Sequence, residues 1–159
     1  MSDVKEDKSA KLVQVVCFKL AEEEYAIDIT RVQEVIRMQT ITEVPQMPEF
    51  VLGVVNIRGK VVPVFDLRLK FKLKQKSFDD LTKILVVSVN DNLISFIVDE
   101  ILDNIKLDAS VIDQAPTVKM EIERDCVKGV ALLDERMITI LDIDRVNDGV
   151  NAEIETYDQ

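Results

Sequence analysis

One pattern occurs twice in this chain and constrains its fold more than any other. A glycine is followed by a short apolar strand, a charged turn, a second apolar strand and an aspartate. The first copy is GVVNIRGKVVPVFDLR at 53–68 and the second GVALLDERMITILDID at 129–144. With Gly53 set on Gly129, an offset of 76 residues, Val54 falls on Val130, Val62 on Ile138, Val64 on Ile140 and Asp66 on Asp142. Each copy reads as a β-hairpin, since β-branched residues fill the flanks and turn-forming residues interrupt them. The first hairpin pairs Val54–Ile57 with Val61–Phe65 about Arg58-Gly59-Lys60, and Asp66 caps a helical turn at Leu67–Phe71. The second pairs Val127–Leu133 with Met137–Leu141 about Asp134-Glu135-Arg136, and Asp142 caps Ile143–Val146. The two tips differ in charge, basic at Arg58 and Lys60 and mostly acidic at Asp134 and Glu135. Upstream, Ile29 and Val32 match Val98 and Ile101 at an offset of 69, so the second half carries seven extra residues in its 109–125 loop. Repeats of short antiparallel strands avoid exposed edges by closing. The expectation is an all-β-dominated chain of two pseudo-repeated five-stranded β-barrels packed together, with short helices.

The remaining segments fill in this plan. Met1–Ala10 is polar and aperiodic and reads as a tail, and 148–159 as an acidic tail. The domain spans 11–147, with barrels expected at about 20–80 and 81–147. Leu12–Leu20 alternates but is apolar on both faces, which suits a strand near the junction of two cores. Glu22–Glu24 is a turn, Tyr25–Ile29 a second strand, and Thr30 begins a helical turn that leads into another strand. Proline at Pro48 and glycine at Gly53 predict a short helix over 48–52. Lys70, Lys72, Lys74 and Lys76 alternate with Phe71, Leu73 and Gln75, the pattern of a lysine-protected edge strand. A third hairpin joins Lys83–Val89 to Leu93–Val98 about Asn90-Asp91-Asn92, and Ile101–Leu107 continues from it.

Charge and composition narrow the function. There is no histidine among 159 residues, which removes the commonest general base, metal ligand and nucleophile partner. Four glycines show no phosphate-cradling spacing. A formal charge of −10 opposes nucleic acid as the main partner, so the Lys70–Lys76 run is a weak candidate for one. A carboxylate enzyme using Asp142 and Asp144 with a metal has too few ligands for a hard cation. Catalytic, cofactor and metal residues are therefore none. Cys17 and Cys126 lie in apolar stretches as free thiols of a reduced compartment. With no leader pattern or long apolar run, the expectation is a cytoplasmic protein without membrane insertion.

The chain resembles the CheW family of bacterial chemotaxis adaptors. The likeness runs through EEEYAIDITRVQEVI at 22–36, VPQMPEFVLGVVNIRGKVVPVFDLR at 44–68, FIVDEILDNIKL at 96–107 and VKGVALLDERMITILDID at 127–144. It implies a non-enzymatic scaffold of two SH3-like barrels, recruited to membrane-associated arrays, that couples chemoreceptors to the histidine kinase CheA. A stand-alone module of the same kind in a non-chemotaxis receptor-kinase pathway is the alternative. The resemblance places the receptor's hairpin tip in an apolar groove matching Val16, Ile29, Val32, Val35 and Val98. It makes Glu34 and Arg58 rim charges toward receptor or kinase. The regulatory domain of CheA is the second expected partner, with rings of adaptor and kinase as the implied assembly.

Overall fold

The computed structural model describes residues 11–114 and 124–147. Both expected tails, and part of the 109–125 loop, lie outside them. Among the described residues, eleven strands run in chain order: β1 (Leu12–Leu20), β2 (Glu23–Asp28), β3 (Val32–Arg37), β4 (Val51–Ile57), β5 (Lys60–Asp66), β6 (Lys83–Val89), β7 (Asn92–Val98), β8 (Glu100–Asp108), β9 (Ile112–Asp113), β10 (Val127–Leu133) and β11 (Arg136–Leu141). Two short helices, α1 (Leu67–Lys70) and α2 (Ile143–Asn147), follow β5 and β11. Asp66 and Asp142 cap them, each accepting two backbone N–H bonds from the first turn.

The strands form a five-stranded sheet, β3-β6-β7-β5-β4, and a six-stranded one, β8-β1-β2-β11-β10-β9. Each closes on itself. Thr42, downstream of β3, bridges Val54 of β4 through N···O contacts of 2.9 and 2.8 Å. β9, downstream of β8, pairs with β10 in the corresponding place, Val130 opposite Asp113. The second sheet therefore has six strands rather than five, because the longer 109–125 connection supplies β9.

The repeat holds residue by residue. Val16 pairs with Ile27 as Leu85 pairs with Phe96, both at an offset of 69. Val55 pairs with Val62 as Ala131 pairs with Ile138, both at 76. Strand pairs β4/β5 and β10/β11 even share a register shift at Gly53 and at Gly129. The barrels do not follow a division at residue 80, however. Hairpin β1–β2 joins β8, β10 and β11, while β3, β4 and β5 join the β6–β7 hairpin. The halves exchange hairpins, so each barrel is built from both.

Three apolar clusters result. One fills the five-stranded barrel around Val55, Val62, Val64, Ile84, Val86 and Ile97. Another fills the six-stranded barrel around Val15, Cys17, Ala26, Ile138 and Ile140. The third joins the barrels and holds the aromatic residues Phe18, Tyr25, Phe65 and Phe96. β1 serves two of them, Val15 and Cys17 facing one and Phe18 and Leu20 the other, as its two-sided apolar pattern requires.

Two local expectations fail. There is no helix at 48–52; Val51 already belongs to β4. Gly53 sits inside that strand at φ +153°, where a Cβ would stand 2.1 Å from the Thr42 carbonyl oxygen. Its role is the close approach that closes the barrel, not helix termination. The lysine run is not an edge strand either. Lys70 ends α1 with its ammonium 4.4 Å from the Phe50 ring centre, and 73–79 pairs with no strand among the described residues. The hairpin turns are also tighter than expected, with Lys60, Asn92 and Arg136 already on strands.

Candidate functional site

Three of the five candidate groove residues, Ile29, Val32 and Val35, lie on β3 and the 3-10 turn before it, Ile29–Arg31, while Val16 is on β1 and Val98 on β7. Asp28 caps that turn, accepting from the Thr30 N–H at 2.9 Å. A bulge between Val32 and Glu34 then shifts the register against β6. Its effect is chemical, since an extra residue lets side chains three apart share a face. Val32 lies opposite Val87 and Val35 opposite Leu85, both partners in the cluster that joins the barrels. Glu34 and Ile36 lie opposite Val86 and Ile84, on the inner-barrel side. Helical and strand spacing are thus superimposed in Val32-Gln33-Glu34-Val35-Ile36, which is why the sequence reads both ways.

Burial separates the five apolar candidates. Val35 is 41% exposed, and Ile29 and Val32 are half-buried. Val98 is fully buried and Val16 keeps only 4% of its surface. These last two belong to the packed interior and present almost nothing to a partner. The pseudo-symmetry breaks here: Ile29 sits on the 3-10 turn, whereas its equivalent Val98 ends the central strand β7. The same relation makes the strip one-sided, because the position equivalent to Val35 is the exposed polar residue Asn104.

Glu34 and Arg58, read separately from the sequence, meet. Arg58 Nη1 donates to Glu34 Oε2 at 2.7 Å, with the arginine largely exposed and the glutamate mostly covered. The β4–β5 turn delivers it: Arg58 and Gly59 have φ of 52° and 84°, and the Gly59 N–H donates to Asn56 Oδ1 at 3.0 Å. Paired positive φ values fit a two-residue turn to the twist of its strands. The second hairpin tip makes the equivalent latch. Arg136 reaches Glu24 at 2.5 Å and Asp103 at 3.0 Å, and Asp103 occupies the place of Glu34 at the offset of 69. The contrast of one basic and one acidic tip is accordingly incomplete, since each barrel mouth holds an arginine against a carboxylate. Hydrogen bonding to Arg136 holds the Asp103 carboxyl below its ordinary range. Sequence reading missed Arg136 because its partners are 33 and 112 residues away.

Two further ion pairs brace the flanks, with reversed polarity. Arg31 donates to Asp144 at 2.5 Å and to the Ser88 carbonyl at 3.0 Å, tying the turn before β3 to α2. In the other half Arg68 donates to Asp99 at 2.5 Å and also to the Lys74 carbonyl, while Asp99 accepts from the Ala21 N–H. The Asp142/Asp144 pair is therefore engaged in capping and in this brace. Both cysteines are buried, and desolvation raises the Cys17 thiol to about 11. Among the described residues no helix is long and apolar enough to cross a membrane.

Two closed β-barrels that share one apolar seam define a small double-barrel β module. Comparison with known proteins gives the family. The CheW-like domain matches residues 14–150. The chemotaxis protein CheW of Klebsiella aerogenes is 35% identical over 129 residues, 81% of this chain and 78% of that one. CheW of Helicobacter pylori is 33% identical over 142 residues, 89% and 86% of the two chains. The crystal structure of the scaffolding protein TtCheW from Thermoanaerobacter tengcongensis superimposes with a TM-score of 0.77 at 34% identity, covering 84% of this chain and 86% of that one. The chain belongs to the CheW family and is a chemotaxis scaffold.

Proposed function

We propose that this protein couples the cytoplasmic hairpin tip of a chemoreceptor to the regulatory domain of the histidine kinase CheA, from the cytoplasm and without catalysis of its own. The observation that carries the reading is the strip Ile29, Val32 and Val35, left partly open beside the Glu34–Arg58 pair. A helix docks on such a strip through apolar anchors, and adjoining charges set its register. Val98 belongs to the cluster on which Val32 packs, and Val16, almost wholly buried, offers no anchor of its own. Glu34 and Arg58 serve as the rim toward receptor or kinase, and kinase–adaptor rings follow if both barrel mouths are occupied.

Val35 gives the cleaner test, being the most exposed of the five. Val35→Asp is expected to leave the circular-dichroism melt close to wild type and to abolish capture by a receptor cytoplasmic fragment. Val32→Asp should lose capture with a lower melting temperature, since Val32 also packs on the central cluster. Undiminished capture by Val35→Asp would remove the strip from the receptor contact.

A further inference from the structure

The lysine run is the strongest sequence feature that neither the fold nor the receptor strip absorbs. Residues 70–76 hold four lysines and no acid in a chain whose formal charge is −10. Guarding a sheet edge does not account for them, because 73–79 pairs with no strand among the described residues. Lys72, Lys74 and Lys76 are exposed, and together with Leu73 and Ala21 they line an open hollow of about 510 Å³. Arg68 lies at its back, already committed to Asp99 and the Lys74 carbonyl, and Glu22 at its side, 3.6 Å from Lys19. Lys76 reaches Asp79 at 3.4 Å, whereas Lys72 and Lys74 have no ion-pair partner among the described residues. Two large apolar side chains stand exposed just downstream, Phe78 at 49% and Leu81 at 54%.

We propose that this hollow docks an acidic polypeptide segment of a partner protein, one carrying aliphatic side chains among its carboxylates. Charge complementarity selects the sign of the partner, and Leu73 in the hollow, with Phe78 and Leu81 exposed a few residues further along the chain, selects its apolar content. Scale selects a polypeptide over an anionic bilayer. A membrane is broad and meets the field of a whole face of this acidic molecule, whereas a single chain entering the hollow lies within a Debye length of the lysines and farther from the rest.

The test uses the full-length chain and a fluorescein-labelled peptide of glutamate and leucine, followed by anisotropy. K72Q/K74Q/K76Q is compared with K60Q/K106Q/K128Q, which changes the net charge equally with exposed lysines elsewhere. Melts of both variants accompany the titrations, and all six substitutions lie at exposed positions. The expected result is saturable binding that weakens with added salt, weakens about tenfold in the first variant and is unchanged in the second. A glutamate–serine peptide should bind less tightly than the glutamate–leucine one. Equal weakening in both variants, no saturable binding, or no preference for leucine would overturn the proposal. So would lysine-dependent capture by phosphatidylcholine–phosphatidylglycerol vesicles without peptide binding.

Discussion

At the scale of single residues, burial decides what an ion pair does. Arg68 and Asp99 are nearly enclosed, with side-chain exposures of 10% and 13%, whereas Arg58 is 75% exposed. Removing one member of an enclosed pair strands the other charge. Asp99→Ala should therefore cost about 3–5 kcal/mol in urea unfolding, and Arg58→Ala less than about 1 kcal/mol. Arg58→Glu should weaken the ternary complex with receptor fragment and kinase more than it weakens the fold. Acid response follows from the same partners. Arg136 and Arg31 hold Asp103 and Asp144 below their ordinary range. Stability from these carboxylates is full above the unfolded value of about 4 and is lost as pH falls through the lower folded values. Burial raises Asp66, so its contribution has the opposite sign, greatest at low pH and lost as pH rises through its folded value. Melting temperatures measured from neutral pH downward should fall below about pH 4, and Arg136→Gln should flatten that fall.

At the scale of elements, two glycines in one hairpin do different work. Gly53 permits the Thr42 backbone to approach β4, while Gly59 only completes a turn, and a methyl group added there would meet nothing within 4 Å. Gly53→Ala should cost about 2 kcal/mol or more, Gly59→Ala about 1 kcal/mol, both read from chemical denaturation. Much of this level is legible in the sequence. β1 occupies the 12–20 stretch that alternation marks out, and both aspartate caps follow from Asp before a short apolar turn. The bulge in β3 is not legible, because register against β6 is a property of two strands about 50 residues apart. The helix expected at 48–52 fails for a related reason: proline and glycine suit a helix locally, and barrel closure outweighs that preference.

At the scale of the whole molecule, the exchanged hairpins make the halves interdependent. A chain cut at residue 80 leaves β1 and β2 without β8, β10 and β11, and leaves β6 and β7 without β3, β4 and β5. Fragments 11–80 and 81–147 should each lack a cooperative melt, and mixing them should restore one. Independent folding of either would contradict the observed strand order.

The sequence by itself determined the all-β class, the repeat with its two offsets, the caps and the resemblance to CheW proteins. These rest on alternation, turn chemistry and order along the chain, all local or recurrent signals. Only the tertiary structure decided which barrel each hairpin joins, which candidate valines remain at the surface, and that Glu34 finds Arg58 as Asp103 finds Arg136. Those outcomes depend on burial and register between segments far apart in sequence, where every Val/Ile-rich strand offers much the same apolar face and only the closed packing distinguishes them.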